Sequence, residues 1–173
     1  MKKLFAGGLF VMGVASLPVG ISPGQTHPTH VHDYSNDPRQ ITLRNFFHRW
    51  ECPAERYSMT FIEAADDYNL DWRLLPSLCF VESTGGKDIR NNNMFGWDSG
   101  RAQFTSPLAG IHAVGYRLSH SNLYRSKSLE GLLFTYNPDP DYVQVVKSVM
   151  RRIHPTVQVA ALPDHYSNSR TPM

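Results

Sequence analysis

The chain has 173 residues, enough for one domain with a substantial core. Hydrophobic residues make up 41% of it, a globular share that excludes wholesale disorder. The formal charge of +2 falls to 0 once Lys2 and Lys3 are set aside, because 15 basic and 15 acidic residues then remain. A balanced chain without a basic run gives no electrostatic case for nucleic acid, and no strong one for an anionic membrane surface.

Residues 1–24 read as a secretory signal peptide, with an uncleaved anchor as the alternative. Lys2 and Lys3 precede the short apolar run LFAGGLFVMGVASL, which ends in small residues and Pro18. The run is too short and too rich in glycine for a membrane span. No cysteine lies there, which argues against a lipid-modified N-terminus. Residues 25–37 form a polar linker. Its His27, His30 and His32 are read as incidental, and no metal site is expected.

From Asp37-Pro38 the pattern turns helical, with a capping aspartate followed by proline at the first helical position. Leu43, Phe46, Phe47 and Trp50 follow at helix spacing. Cys52-Pro53 opens a second helix in which Tyr57, Phe61, Ala64, Ala65 and Tyr68 share a face, and Asn69 stops it. In the stretch LDWRLLPSLCFVES, Asp71 caps a first turn. Pro76 interrupts the hydrogen-bond ladder, so the main helix is expected from Pro76 to Glu82-Ser83, with Leu75, Leu78 and Cys79 inward. Residues 84–103 hold four glycines and three successive asparagines, the composition of a loop with at most a short hairpin. Ser106-Pro107 caps a fourth helix, with Leu108, Ile111, Gly115 and Leu118 on one side. Ser128 caps a short fifth helix through Tyr136. Asp139-Pro140 begins the sixth, in which Tyr142, Val145, Val146, Val149, Met150 and Ile153 form an apolar stripe and Lys147, Arg151 and Arg152 suit the C-terminal dipole. With no convincing strand set, the expectation is an all-α domain over 38–154 and a flexible polar tail over 155–173.

Cys52 and Cys79 are the two cysteines. In an exported chain such a pair is expected to form a disulfide, worth roughly 3–4 kcal/mol for a loop of this length in the chain-entropy model. Two separate buried thiols are the alternative.

Glu82 closes an apolar helix just before the loop. There the helix dipole is negative and apolar neighbours withhold solvent, and both raise a carboxyl pKa toward what a general acid needs. On position alone, a solvated glutamate at a helix end is the more ordinary reading. The motifs argue otherwise. Glu82-Ser83 with Gly86, then Asn92-Asn93-Met94-Phe95-Gly96, then Phe104-Thr105-Ser106 with Ile111, Tyr116 and Leu118, then Tyr136-Asn137-Pro138-Asp139-Pro140-Asp141-Tyr142 occur in an order that resembles the lysozyme superfamily. The likeness is nearest to its glucosaminidase branch, glycoside hydrolase family 73 and its relatives among autolysins and flagellar-rod muramidases, and it covers about residues 57–153. The Tyr136-Asn137 pair is also similar to that of lytic transglycosylases.

The resemblance implies a compact lysozyme-like helical domain that cleaves peptidoglycan at β-1,4 bonds between N-acetylated amino sugars, in the periplasm or outside the cell, without metal or organic cofactor. Glu82 would be the proton donor. Ser83 would orient the helix end or the acid, or serve as a plain cap. Tyr136 would place its hydroxyl near the reacting sugar, or be a core tyrosine. Asn92 and Asn93 would shape the cleft floor, or make turns. Trp97 would stack on a sugar ring, or cover the core. Phe95 and Asn137, in the same motifs, are expected with them on the substrate side.

One departure matters. Only eight residues separate Phe95 from Phe104, so the hairpin lobe that usually carries the family's second carboxylate is cut short. Asp98 is the nearest candidate for a water-activating base, with Asp88 and Asp139 behind it. Asp139 is better explained as a helix cap. Without a second carboxylate, the substrate's own N-acetyl oxygen or 6-hydroxyl would attack the anomeric carbon. A catalytically inactive glycan-binding or cell-envelope structural protein on the same fold is the competing reading.

Overall fold

The structure, a computed structural model, describes residues 33–154. The expected signal segment, the linker up to residue 32 and the tail from 155 onward lie outside the described residues. Six α-helices make up the domain: α1 Pro38–Arg49, α2 Ser58–Asp67, α3 Leu74–Ser83, α4 Pro107–His120, α5 Leu129–Tyr136 and α6 Pro140–Arg152. A 3-10 turn over Pro53–Tyr57 precedes α2. Among the described residues the only β pairing is an isolated bridge between Arg90 and Asn93, so the domain is all-α.

Four helices begin where their caps say they should. Asp37 accepts from Arg39 N at 2.8 Å, Ser106 from Ala109 N at 3.1 Å, Ser128 from Gly131 N at 3.2 Å and Asp139 from Asp141 N at 2.9 Å. Three of these caps are followed by proline, whose missing N–H is one the first turn does not use. The same logic corrects the expected start of α3. It begins at Leu74, and Pro76 lies inside its first turn, where no intrahelical acceptor is lost. Asp71 shapes the entry by accepting from Arg73 N at 2.9 Å.

Helix α3 is the centre of the domain. Leu74, Leu75, Leu78 and Cys79 are buried, and the helix packs chiefly against α6 through a stripe of Tyr142, Val143, Val146, Val149 and Met150. Each fully buried leucine or phenylalanine in such a core contributes roughly 1.5–3 kcal/mol. Three residues expected in apolar stripes face solvent instead: Trp50, Leu108 and Val145. Trp50 is the C-cap of α1, Leu108 belongs to the first turn of α4, and Val145 sits at the edge of a stripe centred on Val146. Val143 takes the inward place that Val145 was expected to fill.

The expected disulfide is absent: Cys52 and Cys79 are both free and buried. Cys52 Sγ points to the carbonyls of Thr84 (3.5 Å) and Trp50 (3.6 Å). Cys79 Sγ turns to Ser83 Oγ and Met94 Sδ, 3.9 Å from each. The exit turn of α3 fills the space beside the Cys52 thiol so closely that a Cβ on Gly85 would lie 2.5 Å from the sulfur. Gly85 adopts φ +64°, and its carbonyl accepts from Ala54 N at 3.0 Å. Hydrogen bonds and packing thus join the two segments. The free thiols predict that unreduced protein, denatured and titrated with a thiol reagent, yields two reactive sulfhydryls, and that reductant leaves the Tm unchanged. A count of zero would restore the bridge.

Candidate active site

Glu82 lies in the last turn of α3, and Thr84 ends that helix in the left-handed conformation at φ 52°. The Glu82 carboxyl is held from two sides. Its Oε1 accepts a hydrogen bond from the Tyr142 hydroxyl at 2.7 Å, which brings the first turn of α6 onto the last turn of α3. Its Oε2 lies against Gly96, where an added Cβ would approach to 2.7 Å. Gly96 also has φ +58°, so both space and backbone call for glycine there.

Burial pushes the Glu82 carboxyl above its ordinary value of 4.5, while the Tyr142 hydrogen bond pulls it part of the way back. The negative end of α3 acts in the same direction as burial. Tyr142 is itself pushed upward, mainly by burial and then by Tyr136 and Glu82, so it stays a neutral donor. With Oε1 accepting from that donor, Oε2 is the oxygen left on the Gly96 side.

The loop carrying Gly96 is pinned by side chains that the sequence singled out. Ser83 Oγ lies 2.8 Å from Met94 O and 3.0 Å from Cys79 O, and it accepts from Gly86 N at 3.0 Å. It ties the loop to the end of α3. Asn93 is buried; its Nδ2 donates to Trp97 O at 2.9 Å and Ala102 O at 3.2 Å, and its Oδ1 accepts from Trp97 N at 3.0 Å. Asn92 Nδ2 donates to Phe104 O at 2.9 Å, with Asn92 itself in the left-handed region. These asparagines build the loop from within, which is the turn chemistry their sequence allowed.

Other expected positions are also structural. Phe95 is buried with its ring edge-on to Phe61, so it belongs to the core and not to a substrate surface. Tyr136 is buried and parallel to Tyr142, with ring centroids 6.1 Å apart, and its hydroxyl donates to Phe95 O at 2.5 Å. That hydroxyl anchors the loop. Trp97 is half-buried among Tyr136, Tyr124 and Arg117, whose guanidinium carbon lies 5.5 Å from the ring centroid. Asn137 Oδ1 accepts from Asp139 N at 3.2 Å in the turn into α6.

The three candidate bases have partners of their own. Asp98 pairs with Arg101 at 2.7 Å, Asp88 accepts from Thr84 Oγ1 at 3.4 Å, and Asp139 caps α6. Among the described residues there is no cluster of three metal-ligating side chains, and no helix is long and apolar enough to cross a membrane. The histidines at 27, 30 and 32 lie outside those residues.

Two residues of the site carry no role in the sequence reading. Gly96 stands there only as the end of the Asn92–Gly96 motif, and Tyr142 only as a member of the apolar stripe of α6; the second tyrosine of the Tyr-Asn-Pro-Asp-Pro-Asp-Tyr segment is the signal that points to it. Compared with known proteins, the chain matches no family model and no curated protein.

Two measurements follow from the opposed influences on Glu82. Tyr142→Phe removes the donor that favours the carboxylate, so the Glu82 carboxyl titrates at a higher pH in a carbon-detected NMR titration; an unchanged midpoint contradicts the hydrogen bond. For stability, the folded value lies above the unfolded one, so the folded state holds the proton more tightly. That contribution is fully present below about pH 4.5 and is lost as pH rises through the folded value. Glu82→Gln cannot ionise. In urea titrations its stability relative to the parent protein should therefore climb over that window and then level off.

Proposed function

We propose that the chain is an exported glycosidase of the peptidoglycan-cleaving type, acting on β-1,4 bonds between N-acetylated amino sugars with Glu82 as general acid. One observation carries this reading: a carboxyl raised by burial, fixed by Tyr142 through one oxygen and presenting the other beside a glycine. A neutral acid so placed delivers its proton to a glycosidic oxygen as the C1–O bond breaks and positive charge develops on the ring. The order of motifs along the chain and the apolar N-terminal segment support the same substrate and compartment.

An inverting hydrolase needs a second carboxylate roughly 6.5–9.5 Å from the first. Asp98, Asp88 and Asp139 are each engaged with another group, which favours a single-acid route. In one such route the N-acetyl oxygen bonds to C1 as the leaving sugar departs. Water later opens that ring and returns its proton to the Glu82 carboxylate. In the other, the 6-hydroxyl oxygen bonds to C1, its proton passes to Glu82, and the product is an anhydro sugar. The engagement of the three aspartates equally favours the second reading, a glycan-binding or envelope-structural protein without turnover.

Purified protein and its Glu82→Gln variant are to be incubated with cell-wall sacculi, and the soluble products weighed by mass spectrometry. Catalysis predicts muropeptides from the parent protein and a loss of about 10²–10⁴-fold in the variant. Anhydro ends, one water lighter than hydrolysed ends, identify the 6-hydroxyl route. Binding without release by either protein overturns the enzymatic reading in favour of the second.

A further inference from the structure

A polar depression of about 470 Å³ opens between the C-terminal ends of α2 and α4 and the loop that follows α4. It shares no lining residue with the Glu82, Tyr142 and Gly96 cluster. Its chemistry is set by Asp67, Tyr68, His120, Tyr124, Arg125 and Lys127. Three of these are basic side chains, and only one is acidic. Asp67 lies 3.8 Å from His112 Nδ1, so a neighbouring imidazole shares its field. The Arg125 guanidinium is exposed and makes no ion pair among the described residues. Lys127 Nζ donates to Thr135 Oγ1 at 2.7 Å, which fixes the ammonium and leaves other N–H groups free. His120 turns its Nδ1 to Ser119 Oγ (2.6 Å) and Tyr116 O (3.2 Å), leaving Nε2 as the available ring nitrogen. Ser126, between the two cations, adopts φ +66°.

A row of packed aromatic rings lies between the depression and the Glu82 site. Tyr142 lies 6.1 Å from Tyr136, Tyr136 lies 5.7 Å from Trp97, and Trp97 lies 6.0 Å from Tyr124, whose side chain is buried at the depression. Arg117, over Trp97, adds a further cation at the same end of α4. Unsubstituted N-acetylated amino sugars are neutral and give a basic recess nothing to pair with. A peptide-substituted glycan supplies carboxylates, which a guanidinium and an ammonium bind by charge-assisted hydrogen bonds.

We propose that this depression is a subsite for the carboxylates of the peptide attached to the glycan, read by Arg125 and Lys127. The subsite rests on the glycan reading of Glu82 for its substrate but has its own test. Binding is measured by calorimetry on the full-length Glu82→Gln protein, with and without Arg125→Gln and Lys127→Gln, so that turnover does not intervene. The probes are a disaccharide bearing an acidic peptide, the same disaccharide without peptide, and the free peptide. The double substitution is expected to weaken the peptide-bearing ligand about tenfold or more and to leave the bare disaccharide unchanged; added salt should weaken only the former. Equal affinity of the peptide-bearing ligand for both proteins, or no binding of any probe, overturns the subsite. Binding of free peptide as tight as that of the peptide-bearing ligand and dependent on Arg125 and Lys127, with no binding of the bare disaccharide, keeps the subsite and removes the glycan reading of Glu82.

Discussion

The hydrogen bond from Tyr142 to Glu82 joins the last turn of α3 to the first turn of α6, the two helices whose packing dominates the core. Everything near it is arranged so that a carboxyl can sit there. A buried carboxyl without a partner would impose a desolvation cost of several kcal/mol on the fold if it ionised. Here one oxygen has a neutral donor, and the group meets the rest of the cost by holding its proton more tightly. The apolar stripe of α6 positions the donor: Val143, Val146, Val149 and Met150 are buried along the helix whose N-terminal turn carries Tyr142.

The loop opposite is held as firmly as the helices. Ser83 fastens it at Met94, Tyr136 at Phe95, and Asn93 at Trp97 and Ala102. These anchors bracket Gly96, the residue on which Glu82 Oε2 rests. Several residues that resemble substrate contacts in sequence are therefore one step removed from the carboxyl. They fix the backbone that faces it. The two tyrosines of the segment between α5 and α6 divide the work: Tyr142 binds the acid, and Tyr136, stacked on it, holds the loop.

How much of this could be read beforehand follows from the range of each interaction. Local chemistry was legible. Asp37-Pro38, Ser106-Pro107, Ser128 and Asp139-Pro140 each mark a true helix start, because capping involves only residues a few positions apart. The end of α3 at Glu82-Ser83 was legible for the same reason, and so was the lack of a sheet among the described residues. Stripe edges were not. Trp50, Leu108 and Val145 fit an apolar period, but the period does not say how far the neighbouring helix extends. Pairings across the chain were harder still. Nothing local shows that Gly85 packs against Cys52 in place of a sulfur, or that position 142, one more apolar site in a helix, meets position 82.

The two opposing influences on Glu82 have a consequence for any acid that must work repeatedly. A general acid gives up a proton in one step and regains one in the next, so its pKa has to lie near the working pH. Burial favours the neutral form, at the expense of the carboxylate that proton donation leaves behind. The Tyr142 donor acts against that, since a hydrogen bond to Oε1 is strengthened when the carboxyl carries charge. A single acid serving both halves of a reaction, with no second carboxylate beside it, needs this compromise more than one of a pair does. In a pair, the repulsion between like charges separates the two roles. On the reading proposed for Glu82, that adjustment would come from one phenol and the depth of one helix end.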